Sequence, residues 1–397
     1  MPARWSLHAE MEIIATIAVT AAKTRIMYLV PVLDRWEDSS DELIINDAAT
    51  QLADKVQRPM TDITPGPTNL ITDVAGIKVG NAEDQACLTG VTAIIPDVPL
   101  VAAADVRGGA PGTRDITLLD SACIVEHIHG IVLSGGSVFG LDAAGGVICA
   151  LADRGIGFTF TDQPHPCPVV PSAILFDLVN GGDKNWGDTP PYRALGIAAC
   201  AAAGDTFALG NAGAGLGATA GNLKGGLGSA SAVIDGITVG ALVAVNSFGS
   251  AVDPRTGDLW AAPYELNDEF GGRRSPIPGT PPSTSTGTKM AGANPGANTT
   301  IAVVVTNATL TRGEAQRLAI MAADGMARAL RPVHAPFDGD TVFAAATGKL
   351  EHPPMTPAML CRIGTAAADT LTRAIGRAVY EAASIPGHPS WREVTGV

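Results

Sequence analysis

Three widely separated stretches of this chain carry residue types that suit chemistry on an amide bond. In Gly296-Ala297-Asn298-Thr299-Thr300, a hydroxyl residue stands where a stretch crowded with Pro, Gly, Ser and Thr (271–297) gives way to the β-branched run Ile301-Ala302-Val303-Val304-Val305. The run reads as a buried strand and the stretch before it as a long exposed loop. If the Asn298–Thr299 bond were cut, Thr299 would carry both a nucleophilic Oγ and a free α-amine. That amine, with an ordinary pKa of about 7.7–8, suits the role of general base for its own side chain. The plainer reading is an Asn-Thr-Thr turn leading into a strand, or a glycosylation acceptor. Asn246 closes the apolar run Ile237–Val245, where its carboxamide can either donate to a developing oxyanion or simply end a turn. An oxyanion donor of this kind contributes roughly 2.7–4 kcal/mol. In Asp338-Gly339-Asp340, the two carboxylates stand two residues apart before Thr341-Val342-Phe343. On a strand they would share a face and could orient a nearby amine or hydroxyl. As a turn they would face water.

Glycine-rich segments offer weaker signals. Arg107 to Asp115 holds two arginines and three glycines, equally readable as a cradle for a carboxylate or phosphate or as a turn-rich surface loop. Gly135-Gly136-Ser137 joins a short strand to a helix but lacks the G-x-S-x-G frame of a nucleophile elbow, so close helix–sheet packing accounts for it better. Gly213, Gly215 and Ala218 permit a dinucleotide-binding reading, which weakens because no clear helix follows and no acidic residue sits at the required distance. Glycines that let backbone amides approach a substrate suit Gly210–Gly221 better, and Lys224 to Ser231 continues in the same style.

Around these stretches the chain alternates strands and helices. Leu70–Gly80, Gly90–Pro96, Val101–Val106, Gly130–Ser134, Val169–Leu178 and Ile237–Val245 read as strands. Helices are expected over Phe139–Arg154, Tyr192–Ala203, Thr311–Leu330 and Met355–Ala383, the third opening on the capping-box pattern Thr311-Arg312-Gly313-Glu314. Several strands are too apolar to face water, which predicts a layered α/β protein with one core from residue 61 to 397.

Composition excludes several classes. The formal net charge is −13 and no Lys/Arg cluster stands out, so neither nucleic acid nor an anionic membrane surface is an expected partner. Six cysteines without a C-x-x-C, most of them in apolar segments, point to reduced thiols in a cytoplasmic protein. Seven histidines show no zinc-ligand spacing; His127 and His129 read as structural, and no metal or cofactor is implied. Residues 1–60 differ in character. The apolar stretch Met11–Leu33 is interrupted by Glu12, Lys23 and Arg25, so it reads as an amphipathic helix or an over-early start, and no function is assigned to it.

From about residue 66 onward the chain resembles the self-cleaving N-terminal-nucleophile hydrolases that include the L-aminopeptidase/D-amidase DmpA, the β-peptidyl aminopeptidases and the 6-aminohexanoate-oligomer (nylon oligomer) hydrolases. The segments that carry the resemblance are 105–115, 132–147, 210–219, 224–231, 245–249, 296–301 and 338–343, in that order. It implies an αββα four-layer sandwich that cuts itself between Asn298 and Thr299, giving 61–298 (or 1–298) and 299–397. It implies Thr299 as nucleophile, Asn246 in the oxyanion hole, and Asp338 and Asp340 holding the nucleophile's amine and hydroxyl. Lys224 is the expected catalytic lysine, with Asn222 at the other possible alignment. A catalytic tyrosine of the family falls at Phe176, which has no hydroxyl; Phe176, Gly135, Gly136 and Ser137 are the expected substrate-binding positions. The Thr and the Asp pair resemble the nylon oligomer hydrolases, which implies aliphatic oligoamide substrates and a homo-oligomer, a tetramer. The alternative is an aminopeptidase releasing small, D- or β-amino residues.

Overall fold

The structure is a computed structural model that describes residues 63–276, 286–292 and 298–397. The N-terminal segment, with the helix expected in it, lies outside the described residues. Two five-stranded sheets form the centre. One runs β1 (Ile77–Asp84), β2 (Thr89–Pro96), β5 (Ile131–Ser134), β6 (Ser172–Ile174) and β4 (Thr113–Arg114). The other runs β3 (Val101–Val106), β12 (Thr341–Ala346), β11 (Thr299–Thr306), β10 (Ile237–Asn246) and β9 (Gly226–Ile234). The short hairpin β7 (Thr219–Ala220) and β8 (Leu223–Lys224) leads into β9.

The two-residue period of the strands decides the layers. Along β11, Ile301, Val303 and Val305 join a core shared with Val79, Ile94, Ile131 and Leu133 of the other sheet. The alternate residues Ala302 and Val304 face a second core with Leu318, Ala322 and Met326 of α3 (Arg312–Ala329) and Leu371 and Ile375 of α4 (Pro357–Tyr380). A third core sets Val91, Ala93 and Val132 against Ala143, Val147 and Ala199 of α1 (Asp142–Ala152) and α2 (Tyr192–Ala201). Helices therefore cover the outer face of each sheet, and the αββα sandwich implied by the resemblance is the fold. Each fully buried Val, Ile or Leu contributes about 1.5–3 kcal/mol, so the strands with both faces buried hold the centre together.

Several elements differ from the sequence reading. The strand expected over Leu70–Gly80 divides into a 3₁₀ turn at Ile71–Asp73 and the start of β1, because Asp73 turns back to accept from the Thr68 amide at 3.0 Å. Of Val169–Leu178 only Ser172–Ile174 pairs in the sheet. The helix expected from Phe139 begins at Asp142, after a 3₁₀ turn over Ser137–Leu141. The strand β9 was not anticipated, since Gly226-Leu227-Gly228-Ser229-Ala230-Ser231 lacks β-branched residues. Its small residues answer to α4: a Cβ on Gly228 would lie 2.0 Å from the Ala374 carbonyl oxygen, so only glycine lets the helix backbone come down on the strand. The expected capping box is present, with Thr311 Oγ1 accepting from the Glu314 amide at 3.3 Å and Glu314 accepting from the Thr311 amide at 2.7 Å.

Candidate active site

Topology brings the three widely separated stretches to one end of the second sheet. β10 and β11 pair antiparallel, which sets the last residue of one, Asn246, directly opposite the first of the other, Thr299. β12 pairs parallel to β11, with Ile301 opposite Thr341, so the loop that leads into β12 reaches the same end. That loop carries Asp338 and Asp340. Asn246, Asp338, Asp340 and Thr299 are all at most 3% exposed.

Thr299 Oγ1 donates a hydrogen bond to the carbonyl oxygen of Asn298, the residue that precedes it. Asp340 Oδ1 accepts from the Thr300 amide at 2.8 Å, and its Oδ2 faces the backbone amide and Nδ1 of His334 at 3.1 and 2.8 Å. Asp338 accepts from the Phe248 amide at 3.3 Å and the Ala335 amide at 2.8 Å. Burial first, and the neighbouring Asp340 charge second, push the Asp338 carboxyl up to about 6. The two carboxylates therefore sit in the interior, and the reading of a turn in water does not hold. Between them, a Cβ on Gly339 would lie 2.7 Å from Thr299 Oγ1, so the absence of a side chain there leaves room for the hydroxyl.

The glycine-rich loop after β3 clamps this pair through its backbone. The amides of Arg107 and Gly108 donate to the Asp340 carbonyl at 3.0 and 3.2 Å, and that of Ala110 to the Asp338 carbonyl at 2.8 Å. Its arginines are engaged elsewhere: Arg107 with Asp105, Asp324 and the Ile320 carbonyl, Arg114 with Asp115. The loop positions the site and is not an anion cradle built on its guanidinium groups.

Asn246 is held in one orientation. Its Oδ1 accepts from the Thr219 amide at 2.9 Å, Thr219 Oγ1 at 3.2 Å and Lys289 Nζ at 3.2 Å, while its Nδ2 donates to the Phe176 carbonyl at 2.9 Å. Phe176 thus touches Asn246 through its main-chain carbonyl. A cleft of about 360 Å³ opens beside Asn246, with Phe176, Asp177, Asn222, Lys289 and His388 in its walls.

The other expected residues lie behind this surface. Lys224 is fully buried, and its Nζ donates to the carbonyls of Gly215 and Gly225 at 2.9 and 2.8 Å. Burial pushes its pKa down to about 7, against the opposing charge of Asp177. Gly135, Gly136 and Ser137 are not in the cleft wall; the Gly136 amide donates to Asp177 at 2.7 Å, and a Cβ on Gly135 would strike the same carboxylate at 2.2 Å. Gly135 and Gly136 pack against Asp177, whose second oxygen accepts from Thr89 Oγ1 at 2.6 Å, while the Ser137 amide donates to the Leu175 carbonyl at 2.9 Å. His129 has the structural role expected, with its Nδ1 accepting from the Val169 amide at 3.1 Å.

Two participants escaped the sequence reading. His334 stands two residues after Pro332 and shows no motif that links it to Asp340. Lys289 lies in the stretch read as exposed loop, yet Thr288 is buried and Lys289 half-buried. Burial pushes the Lys289 ammonium down to about 7, opposed by Asp338. Among the described residues no cluster of His, Cys, Asp and Glu could hold a metal ion, and no helix is long and apolar enough to cross a membrane.

Two sheets face to face, each covered by helices, form the fold of the N-terminal-nucleophile hydrolases. Solved structures agree. The L-aminopeptidase D-Ala-esterase/amidase of Ochrobactrum anthropi superposes with a TM-score of 0.58 at 21% identity, over 87% of this chain and 98% of that one. A β-aminopeptidase of Burkholderia superposes with a TM-score of 0.57 at 24% identity, over 82% and 90%. The chain belongs to peptidase family S58, whose sequence pattern matches residues 69–391. An uncharacterized aminopeptidase of Mycobacterium tuberculosis is 42% identical over 346 residues, 82% of this chain and 98% of the relative. A 6-aminohexanoate-oligomer endohydrolase of a Kocuria species is 30% identical over 303 residues, 72% of this chain and 78% of the relative. The protein is an amide-bond hydrolase.

Proposed function

We propose that the chain cuts its own Asn298–Thr299 bond and then uses Thr299 as an N-terminal nucleophile against aliphatic amides, as an oligoamide hydrolase. The observation that carries this reading is the hydrogen bond from Thr299 Oγ1 to the carbonyl of the bond to be cut, with Asn246 opposite in register. In the first stage Oγ1 attacks the Asn298 carbonyl carbon. The C–N bond breaks, the nitrogen takes the proton, and an ester on Oγ1 remains. Water then cleaves the ester, leaving the Asn298 carboxylate and a free Thr299 amine and hydroxyl. In the second stage that amine, with an ordinary pKa of about 7.7–8, takes the Oγ1 proton as Oγ1 attacks a substrate amide. Asn246 Nδ2 donates to the oxyanion, and the leaving amine departs with a proton. Water clears the acyl-enzyme. Asp340 and Asp338 fix the chain around the nucleophile, and Lys224 supports the glycine wall from behind.

The second reading is an aminopeptidase acting on small, D- or β-amino N-terminal residues; the 42% identity to proteins named as aminopeptidases favours it. Products from an oligoamide with a blocked amino end separate the two, since only an endo-acting enzyme cuts it. The assembly is read as a homo-oligomer, a tetramer, which light scattering tests. Exposed Val138, Phe139 and Val179 support self-association, and a cytoplasmic setting is supported by six free cysteines.

Intact mass and N-terminal sequencing of wild type beside Thr299→Ala test the central reading. The expected result is a chain beginning Thr-Thr-Ile from residue 299 in wild type and a single uncut chain in the variant. An uncut wild type overturns it.

A further inference from the structure

A carboxamide serves as an oxyanion donor only while its nitrogen faces the reacting carbonyl, and Asn can flip with little steric change. In this chain the wrong orientation would set the Asn246 NH₂ against the Thr219 amide at 2.9 Å and the Lys289 ammonium at 3.2 Å, both of which only donate. Lys289 also lies 3.4 Å from the Asn246 main-chain oxygen, so its charge bridges the two oxygens of that residue. Its placement is built in. The Lys289 amide donates to the Phe248 carbonyl at 3.1 Å, two residues beyond Asn246, and the Gly287 carbonyl accepts from the Asn222 amide at 3.2 Å. Gly287 to Lys289 is thus strapped to the exit of β10 on one side and to the β7–β8 turn on the other.

From this we infer that Lys289 is the positioning residue of the site: its ammonium locks and polarises the Asn246 carboxamide, both in self-cleavage and in turnover. The inference rests on the reading of Thr299 and Asn246 above. A hydrogen bond from a cation to Oδ1 strengthens Nδ2 as a donor in a buried setting. Among the described residues Asp338 favours this charge, and His388 lies close enough for its own protonation to be opposed by it. Asp338 and Lys289 belong to different halves of a cut chain, so the lock would join the upstream piece to the downstream one.

The test compares wild type, Lys289→Met and Lys289→Arg, each also in an Asn246→Ala background, measuring the self-cleavage rate and kcat and KM on a simple aliphatic amide. Lys289→Met is expected to lower the self-cleavage rate and kcat about 10- to 100-fold with KM changed less than about threefold; loss of an oxyanion donor itself costs about 10²–10³. Lys289→Arg restores most of the loss. In the Asn246→Ala background Lys289→Met adds nothing, because its effect passes through the amide. The self-cleavage rate of wild type falls as pH rises through about 7, where Lys289 loses its proton, and this fall is absent in Lys289→Arg. Melting curves confirm that the variants fold, and a variant that does not fold is replaced by Lys289→Gln. Wild-type rates in Lys289→Met, or equal losses in the Met and Arg variants, overturn the inference. An uncut wild type instead overturns the reading of Thr299.

Discussion

Lys224 is fully buried and Lys289 half-buried, and burial pushes both toward a pKa of about 7, yet they do different work. Lys224 gives its protons to the carbonyls of Gly215 and Gly225 and so braces a glycine-rich wall; the charge that opposes its burial is Asp177. Lys289 gives its protons to Asn246, which stands opposite Thr299, and the opposing charge is Asp338. What a buried lysine does is set by the acceptor it reaches, and a shifted pKa does not distinguish the two. The difference also separates two kinds of sequence signal. Lys224 sits in a recognisable motif, whereas Lys289 sits between prolines, glycines, serines and threonines that carry no period.

The comparison can be broken most directly at Asn246. Asn246→Ala is expected to lower kcat about 10²–10³-fold and to make the rate insensitive to changes at Lys289 while leaving the response to Lys224→Met unchanged. Steady-state kinetics of the three double combinations decide this. A smaller effect is expected from Asp338→Asn, which removes the charge that favours the Lys289 ammonium. The pH at which self-cleavage falls should then move below about 7, while Asp177→Asn, acting on Lys224, leaves it in place. Asp338 itself has a folded pKa raised to about 6. The folded state therefore holds a proton more tightly than the unfolded chain, and stability is lost as pH rises from about 4 through about 6. Melting temperatures of wild type and Asp338→Asn across that window should converge at low pH and diverge above it, the variant being the more stable.

The smallest expected effect is Lys224→Met, read in stability. A lysine whose folded pKa lies near 7 prefers to be neutral in the folded state, while the unfolded side chain stays protonated up to its ordinary value of about 10.5. Stability from this group therefore grows as pH rises from about 7 towards 10. The difference in melting temperature between wild type and Lys224→Met should widen in favour of wild type over that range, by a few degrees. A gap that narrows instead would contradict the burial of Lys224.

The legible parts of this molecule were those where one force dominates. The apolar runs Ile237–Val245 and Ile301–Val305 read as strands because both of their faces are buried, and their ends, Asn246 and Thr299, were picked out by chemistry at a strand terminus. The Asp338–Asp340 pair was found by spacing, but its burial was not, since the partners that satisfy it are backbone amides of Phe248, Ala335 and Thr300. Phe176 was read by its missing hydroxyl, whereas its carbonyl is what touches Asn246. β9 stayed hidden because its glycines answer to a helix more than 140 residues further on, at Ala374. Main-chain partners and distant packing leave no local trace in side-chain type.

The strand order of the second sheet has one further consequence. β3, β10 and β9 precede Thr299 in the chain, while β12 and β11 lie between them in space and follow it. A chain cut at that point becomes two interleaved polypeptides sharing one sheet, neither of which owns a complete core. Melting would then also release one piece from the other, so that the midpoint becomes a matter of mass action and rises with protein concentration. The uncut Thr299→Ala chain should melt at the same temperature at any dilution. Cutting the bond would convert a one-chain folding problem into an assembly of two, one that is simple to hold together once formed and hard to remake after the halves have parted.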